Sequence, residues 1–215
     1  VIGAVTPVTH SIPTISGNIV SMVAAGNAVV VNPHPGGARC AAVAVRTFNE
    51  AIHAELGIEH LICLIADPTL ETFAALCQHP LTRVLCVTGG PAVVGAAMKS
   101  GKRAICAGPG NPPVVVDGTG SLAKAAADII KGAAYDNNLL CVGEKQVFVL
   151  EAVAERFMNE LAVAGAAKLT SAELARLTAV AFTTGKDAGG CSHPVLNRKL
   201  VGADAAVLAR HAGAT

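Results

Sequence analysis

Ala28-Val29-Val30-Val31-Asn32-Pro33-His34-Pro35 is the stretch on which the fold turns. The β-branched run reads as a strand, and Asn32-Pro33-His34-Pro35 as the breaker that ends it. Upstream, Val1 to Val5 is strand-like and Pro13 to Ala24 has a helical pattern. Downstream, Ala38 to Leu56 carries apolar residues at helical spacing until Gly57 stops it. Leu61 to Ile65 is a strand, Thr69 to Gln78 a helix, and Arg83 to Val87 a strand ending at Thr88-Gly89-Gly90. Pro91 opens a helix to about Ser100, and Arg103 to Ala107 is another strand. This β-α-β-α rhythm predicts an α/β fold, with a mostly parallel sheet, right-handed crossovers and helices on both faces.

The register changes at Gly108-Pro109-Gly110-Asn111-Pro112-Pro113, the expected boundary between domains at 1–110 and 111–215. Val114 to Val116 is a short strand and Ser121 to about Ala134 a helix. Tyr135-Asp136-Asn137-Asn138-Leu139-Leu140-Cys141-Val142-Gly143-Glu144-Lys145 follows. Gln146 to Leu150 is then a strand and Glu151 to about Ala164 a helix, with Arg156 and Glu160 at i,i+4 on its polar face. Ser171 to Leu177 reads as a helix capped by Ser171, and Gly185 to His193 as loop. Leu196 to His211 reads as helical with a break at Gly202.

With 215 residues, 52% hydrophobic and 14% charged, the chain can bury a real core and is not a disordered tail. A net charge of +1 without a basic block argues against nucleic acid as a partner, as does an aromatic content of 3%. No apolar run approaches the ~18 residues of a membrane span. Seven cysteines, at 40, 63, 77, 86, 106, 141 and 191, include no Cys-x-x-Cys pair and none at zinc-finger spacing from a histidine, so no metal site is expected. Their odd number fits free thiols in a reducing cytosol. Val1-Ile2-Gly3-Ala4-Val5 is already strand-like and lacks an initiating methionine, so the chain reads as part of a longer polypeptide.

In parallel α/β sheets, ligands collect beyond the carboxyl ends of the strands. Three connections qualify: Thr6-Pro7-Val8-Thr9-His10-Ser11-Ile12-Pro13, Asn32-Pro33-His34-Pro35-Gly36-Gly37, and Thr88-Gly89-Gly90-Pro91. The last leads into a helix whose N-terminal amides suit a phosphate. Singly, each is also ordinary loop punctuation; together on one sheet edge they weigh more. Gly118-Thr119-Gly120-Ser121-Leu122-Ala123 matches G-x-G-x-x-A, but Asp136 does not end a following strand as ribose binding requires. We read it as a turn with a helix cap. Cys141 lies in a connection, where a nucleophile would sit, although many free cysteines are simply buried structural thiols.

Taken together, these motifs resemble the aldehyde dehydrogenase superfamily, and within it the CoA-acylating branch active on acetaldehyde and propionaldehyde. The resemblance runs through Thr6-Pro7, Gly26 to Pro35, Thr88-Gly89-Gly90-Pro91, Gly108 to Pro113 and Asp136 to Cys141. It implies a Rossmann-like nucleotide-binding domain followed by the first part of a second α/β catalytic domain. Cys141 falls at the family's nucleophile. Thr9 aligns with its oxyanion asparagine, so the Thr9 hydroxyl and the Cys141 N–H are the implied oxyanion donors. Thr6, Pro7, Asn32, Pro33, His34, Pro35, Thr88, Gly89, Gly90, Ala107 and Gly108 are the implied cofactor contacts, with NAD preferred because Asn32 lacks a charge for a 2′-phosphate.

Two departures separate the chain from the hydrolytic branch. That branch has Lys-Pro where this chain has Asn32-Pro33, and a Glu-Leu-Gly-Gly motif near Cys106-Ala107-Gly108-Pro109 whose glutamate activates water. No carboxylate lies between Ala104 and Val116. An acyl-cysteine without a base for water waits for a better nucleophile, and the thiol of coenzyme A is one. The resemblance therefore implies ping-pong oxidation of a short-chain aldehyde to acyl-CoA. It also implies a homo-oligomer, a cytoplasmic location that extends to a bacterial microcompartment and its shell, and little activity in these residues alone. The alternatives are a hydrolytic aldehyde dehydrogenase, the aldehyde half of a bifunctional alcohol/aldehyde dehydrogenase, and a non-catalytic nucleotide-binding or assembly module.

Overall fold

A computed structural model describes residues 1–186 and 192–214. The chain divides into two compact units, Val1–Gly110 and Asn111–Thr215. The first contains strands β1 (Ile2–Thr6), β2 (Val29–Pro33), β3 (Ile62–Leu64), β4 (Val84–Thr88) and β5 (Arg103–Ala107), all parallel, in the order β3-β2-β1-β4-β5. Helices α1 (Ser11–Ala24), α2 (Ala38–Leu56), α3 (Leu70–Gln78) and α4 (Pro91–Lys99) connect them. Successive strand residues face opposite ways, and both faces of this sheet are apolar. Ala4 packs with Ile15 and Ile19 of α1 and Ala41 and Val45 of α2, while Val5 packs with Phe73 and Leu76 of α3 and Ala97 of α4. The sheet has the parallel form, covered on both faces, that the sequence implies.

β2 runs further than its sequence suggests. Asn32 and Pro33, expected to break the strand, lie in the ladder opposite Val5 and Thr6. Proline offers no N–H, so pairing ends there, and the His34 N–H closes the end by donating to the Thr6 carbonyl at 2.9 Å. α3 opens with reciprocal caps: Thr69 Oγ1 accepts the Thr72 N–H at 3.2 Å, and Thr72 Oγ1 accepts the Thr69 N–H at 2.8 Å. The edge strand β3 is tied to α2 by Asn49, whose amide accepts the Ile62 N–H at 3.2 Å and donates to the Ile62 carbonyl at 2.7 Å.

In the second unit, β6 (Pro113–Val116) and β7 (Gln146–Val149) form a parallel pair, with α5 (Leu122–Ala134) and α6 (Glu151–Val163) supplying its core. The fully buried Phe157 packs there with Val116, Leu122, Ala126, Ile129 and Val153. On the other face the cross-strand partners Val115 and Phe148 are exposed. α7 (Ser171–Ala181), the hairpin β8 (Phe182–Lys186) and β9 (Ser192–Leu196), and α8 (Ala205–Ala212) complete the unit.

Four local expectations change here. The cap of α7 is Thr170, not Ser171. Thr170 Oγ1 accepts the Glu173 N–H at 3.3 Å, and the Glu173 carboxylate accepts the Thr170 N–H at 2.7 Å. That amide, with the Thr170 hydroxyl, holds the Glu173 carboxyl below its usual range. Of the segment read as loop, Gly185, Lys186, Ser192 and His193 lie in the hairpin ladder, and 187–191, including Cys191, lie outside the described residues. Arg156 and Glu160 form no ion pair among the described residues. The stretch from Leu196 to His211 is a short turn at Arg198–Leu200 and then α8. No helix among the described residues is long and apolar enough to cross a membrane.

Candidate active site

The carboxyl ends of β1, β2 and β4 open into one cavity of about 440 Å³ in the first unit. Thr6 and Pro7 reach it from β1, Asn32, Pro33, His34 and Pro35 from β2, and Thr88, Gly89 and Gly90 from β4. These three connections converge because parallel strands deliver their carboxyl ends to one edge of the sheet. Pro68, Thr69, Leu70 and Phe73, at the β3–α3 connection, and Val93 of α4 line it as well. The walls are largely apolar, with a few polar groups, as in small-molecule sites.

Thr6 is almost wholly buried, at 1% exposure, and its Oγ1 has no hydrogen-bond partner. A buried hydroxyl without a partner is costly, and a hydrogen-bonding ligand would relieve that cost. The Asn32 side-chain oxygen accepts from Thr72 Oγ1 at 3.4 Å. His34 Nδ1 accepts the Gly36 N–H at 3.0 Å, which leaves Nε2 as the ring's free position. A second hollow of about 340 Å³ borders the Gly118-Thr119-Gly120 turn in the other unit. There Asp117 Oδ1 already takes the Thr119 hydroxyl at 2.7 Å and N–H at 3.0 Å, and Ser121 Oγ caps α5 by accepting the Lys124 N–H at 3.3 Å. The polar side chains of Asp117, Thr119 and Ser121 are spent on a turn and a cap, as the sequence suggests.

Cys141 follows a run of three left-handed residues. Asp136, Asn137 and Asn138 have φ of 49°, 50° and 59°. Asp and Asn tolerate this region best among non-glycine residues, so the Asp-Asn-Asn sequence matches its backbone. Asn138 Nδ2 then clips both sides of the loop, donating to the Ala133 carbonyl at 2.7 Å and the Glu144 carbonyl at 3.1 Å. Asn137 Nδ2 donates to the Gly202 carbonyl at 3.0 Å and to Asp204 Oδ1 at 2.8 Å. Gly202, with φ of 73°, lies so close to Leu139 that a Cβ would stand 3.0 Å from its side chain.

The braced loop ends in a tight turn. The Gly143 N–H donates to the Leu140 carbonyl at 3.2 Å, placing Cys141 and Val142 at the two central positions. Leu140 is buried while Cys141 is half-buried. Lys145, the nearest cation in sequence, donates its ammonium to the Leu140 carbonyl at 2.9 Å and the Gly143 carbonyl at 3.2 Å. It clamps the turn. The Cys141 N–H has no acceptor among the described residues. Other cysteines are placed differently. Burial, then the neighbouring Cys106, pushes the thiols of Cys77 and Cys86 above their usual range, as expected of structural thiols.

Asn138→Ala removes both clips and a side chain that tolerates φ of 59°. The expected result is a loss of about 1–3 kcal/mol of stability with a fall in kcat larger than any change in KM, read from thermal unfolding and steady-state kinetics of the intact protein. Unchanged values of both would remove the loop-bracing account.

The geometry thus gathers Thr6, Pro7, Asn32, Pro33, His34, Pro35, Thr88, Gly89 and Gly90 around one cavity. Thr9 is exposed in the β1–α1 connection, Ala107 ends β5 and Gly108 follows it, and none of the three lines that cavity. The contribution of the β3 end was missed. Pro68-Thr69 at the close of a strand carried the same signal as the other three connections.

The aldehyde dehydrogenase family model matches residues 1–181. The CoA-propanoylating propanal dehydrogenase of Citrobacter freundii is 41% identical over 213 residues, covering 99% of this chain and 44% of that protein. Among solved structures, the propionaldehyde dehydrogenase of the Clostridium phytofermentans fucose utilisation bacterial microcompartment aligns with a TM-score of 0.83 at 40% identity, over 99% of this chain and 47% of that one. Rhodopseudomonas palustris propionaldehyde dehydrogenase with bound propionyl-CoA aligns with a TM-score of 0.82 at 40% identity, over 100% of this chain and 46% of that one. The chain spans less than half the length of these relatives. With the family model matching from β1 through α7 and the parallel α/β architecture in agreement, the chain belongs to the aldehyde dehydrogenase family.

Proposed function

We propose that the intact protein oxidises a short-chain aldehyde, acetaldehyde or propionaldehyde, to its acyl-CoA with NAD, through a thioester on Cys141. The observation that carries this reading is the turn at Leu140–Gly143, which presents a half-buried thiol beside its own N–H, unpaired among the described residues. Support comes from the CoA-propanoylating relative and from the relative with bound propionyl-CoA.

The Cys141 thiolate attacks the aldehyde carbonyl carbon, forming a C–S bond and a tetrahedral oxyanion. The Cys141 N–H is the donor that stabilises that charge. NAD, when bound, supplies the acceptor for the hydride that leaves this carbon with its electron pair. Re-forming the C=O bond leaves an acyl-cysteine thioester. The thiolate of coenzyme A then adds to the acyl carbon, the C–S bond to Cys141 breaks, and the cysteine leaves as thiolate, ready for another turnover. Water competes poorly, because no carboxylate lies between Ala104 and Val116 to act as its base.

The residues present fit a dinucleotide cofactor. Thr6 offers an unpartnered buried hydroxyl, Asn32 and His34 offer polar groups, and Gly89-Gly90 opens α4, whose first amides suit a phosphate. Ala107 and Gly108 belong to the same reading as outer contacts. Homo-oligomerisation and a cytoplasmic location, extending to a bacterial microcompartment such as the one from which the Clostridium phytofermentans relative comes, complete the proposal. The exposed pair Val115 and Phe148 is an apolar strip of the kind an oligomer covers. The test is product analysis: the intact protein given propanal, NAD and CoA forms propanoyl-CoA in step with NADH, and free propanoate as the main product would reject the reading.

A further inference from the structure

We propose that Lys145 is a positioning residue for the oxyanion: by holding the Leu140 carbonyl, its ammonium aims the Cys141 N–H at the oxygen that turns negative when the thiolate adds. The inference rests on the acyl-transfer reading above and gives that reading a residue outside the reacting atoms. The Leu140 carbonyl and the Cys141 N–H belong to one peptide unit. That peptide is trans, so its carbonyl and N–H lie in one plane and point opposite ways across the C–N bond. Whatever fixes the carbonyl fixes the direction of the N–H.

Two donors fix it. Lys145 Nζ donates to the Leu140 carbonyl at 2.9 Å, and the Gly143 N–H donates to the same oxygen at 3.2 Å, which occupies both lone pairs. The ammonium also donates to the Gly143 carbonyl at 3.2 Å, so one cation joins both ends of the turn. It reaches back from a braced base. The Lys145 N–H donates to the Pro112 carbonyl at 3.3 Å, extending the β6–β7 pairing by one residue, and the Glu144 carbonyl accepts from Asn138 Nδ2 at 3.1 Å. Of the two polar groups of the Leu140–Cys141 peptide, the carbonyl is thus doubly occupied, while the N–H has no acceptor among the described residues. Positive charge on the carbonyl side also polarises the peptide and strengthens its N–H as a donor. A donor aimed before charge develops is what an oxyanion site requires.

The test follows the first-turnover burst of NADH from the intact protein, with saturating propanal and NAD and without coenzyme A. Alkylation of Cys141 by iodoacetamide, followed on its own peptide by mass spectrometry, reads the thiolate separately, because it forms a C–S bond without an oxyanion. Lys145→Met, with folding checked by its melting curve, is expected to slow the burst about 10- to 100-fold, somewhat less than removal of an oxyanion donor outright. Its alkylation rate is expected to stay within about threefold of the wild type, and Lys145→Arg, which keeps a cation with several N–H donors, to recover most of the burst rate. A wild-type burst that Lys145→Met leaves within about threefold overturns the inference while the acyl-transfer reading stands. Burst and alkylation falling together also overturn it, since the cation would then act on the sulfur, as does a Lys145→Arg no faster than Lys145→Met. Absence of any burst in the wild type removes both the inference and the reading.

Discussion

Cys141→Ala in the intact protein is expected to lower aldehyde-dependent NADH formation by at least about 10⁴-fold, the usual scale for loss of a covalent nucleophile. Alanine keeps the Cβ and the backbone N–H, so the turn, its clamp by Lys145 and the clips from Asn138 remain. Only the sulfur is lost. The loss should fall on kcat, with nucleotide affinity unchanged, because Cys141 does not line the first-unit cavity proposed above for the nucleotide. Cys77→Ala and Cys86→Ala are the matched controls. Their thiols are raised by burial, so their removal should alter stability and not chemistry. Activity surviving in Cys141→Ala would reject the covalent account.

Omission of coenzyme A is expected to cut steady-state turnover at least about 10²-fold, the lower end of what a general base contributes when water must attack instead. The residue types from Ala104 to Val116 give the reason. Glycine, proline, asparagine and aliphatic side chains predominate there, and none is a carboxylate. The first turnover should still occur, so NADH should appear as a burst matching the enzyme concentration and then nearly stop. Coenzyme A added later should restart it. Sustained turnover without coenzyme A would instead favour the hydrolytic reading.

Much of the fold is legible because strands and helices here carry strong local signals. β-Branched runs such as Val29 to Val31 can hardly be anything but strand, and Gly57 and Pro91 mark a helix end and a helix start. The features missed depend on partners distant in sequence. Asn32 and Pro33 look like a breaker until β1 pairs with them, and Gly185 and His193 look like loop until the two strands of the hairpin meet. Thr170 rather than Ser171 caps α7, a shift of one residue that either hydroxyl permits locally.

The site divides in the same way. The three strand-end connections are readable from composition, and their convergence follows from parallel topology alone. The orphaned hydroxyl of Thr6 is not readable, because it depends on what surrounds that hydroxyl in three dimensions. Residue type at Asp136-Asn137-Asn138 tolerates the left-handed backbone that the structure shows, but does not by itself announce it. Which carbonyls Asn138 and Lys145 would clasp does not follow from the sequence.

The central claim is that Cys141 carries the acyl group between oxidation and transfer. It is tested most directly by incubating the intact protein with propanal and NAD, without coenzyme A, and mapping the acylated peptide by mass spectrometry. The account predicts a propanoyl group on Cys141 that disappears when coenzyme A is added, with propanoyl-CoA formed in equal amount. No adduct on Cys141, or one that coenzyme A fails to discharge, would contradict it.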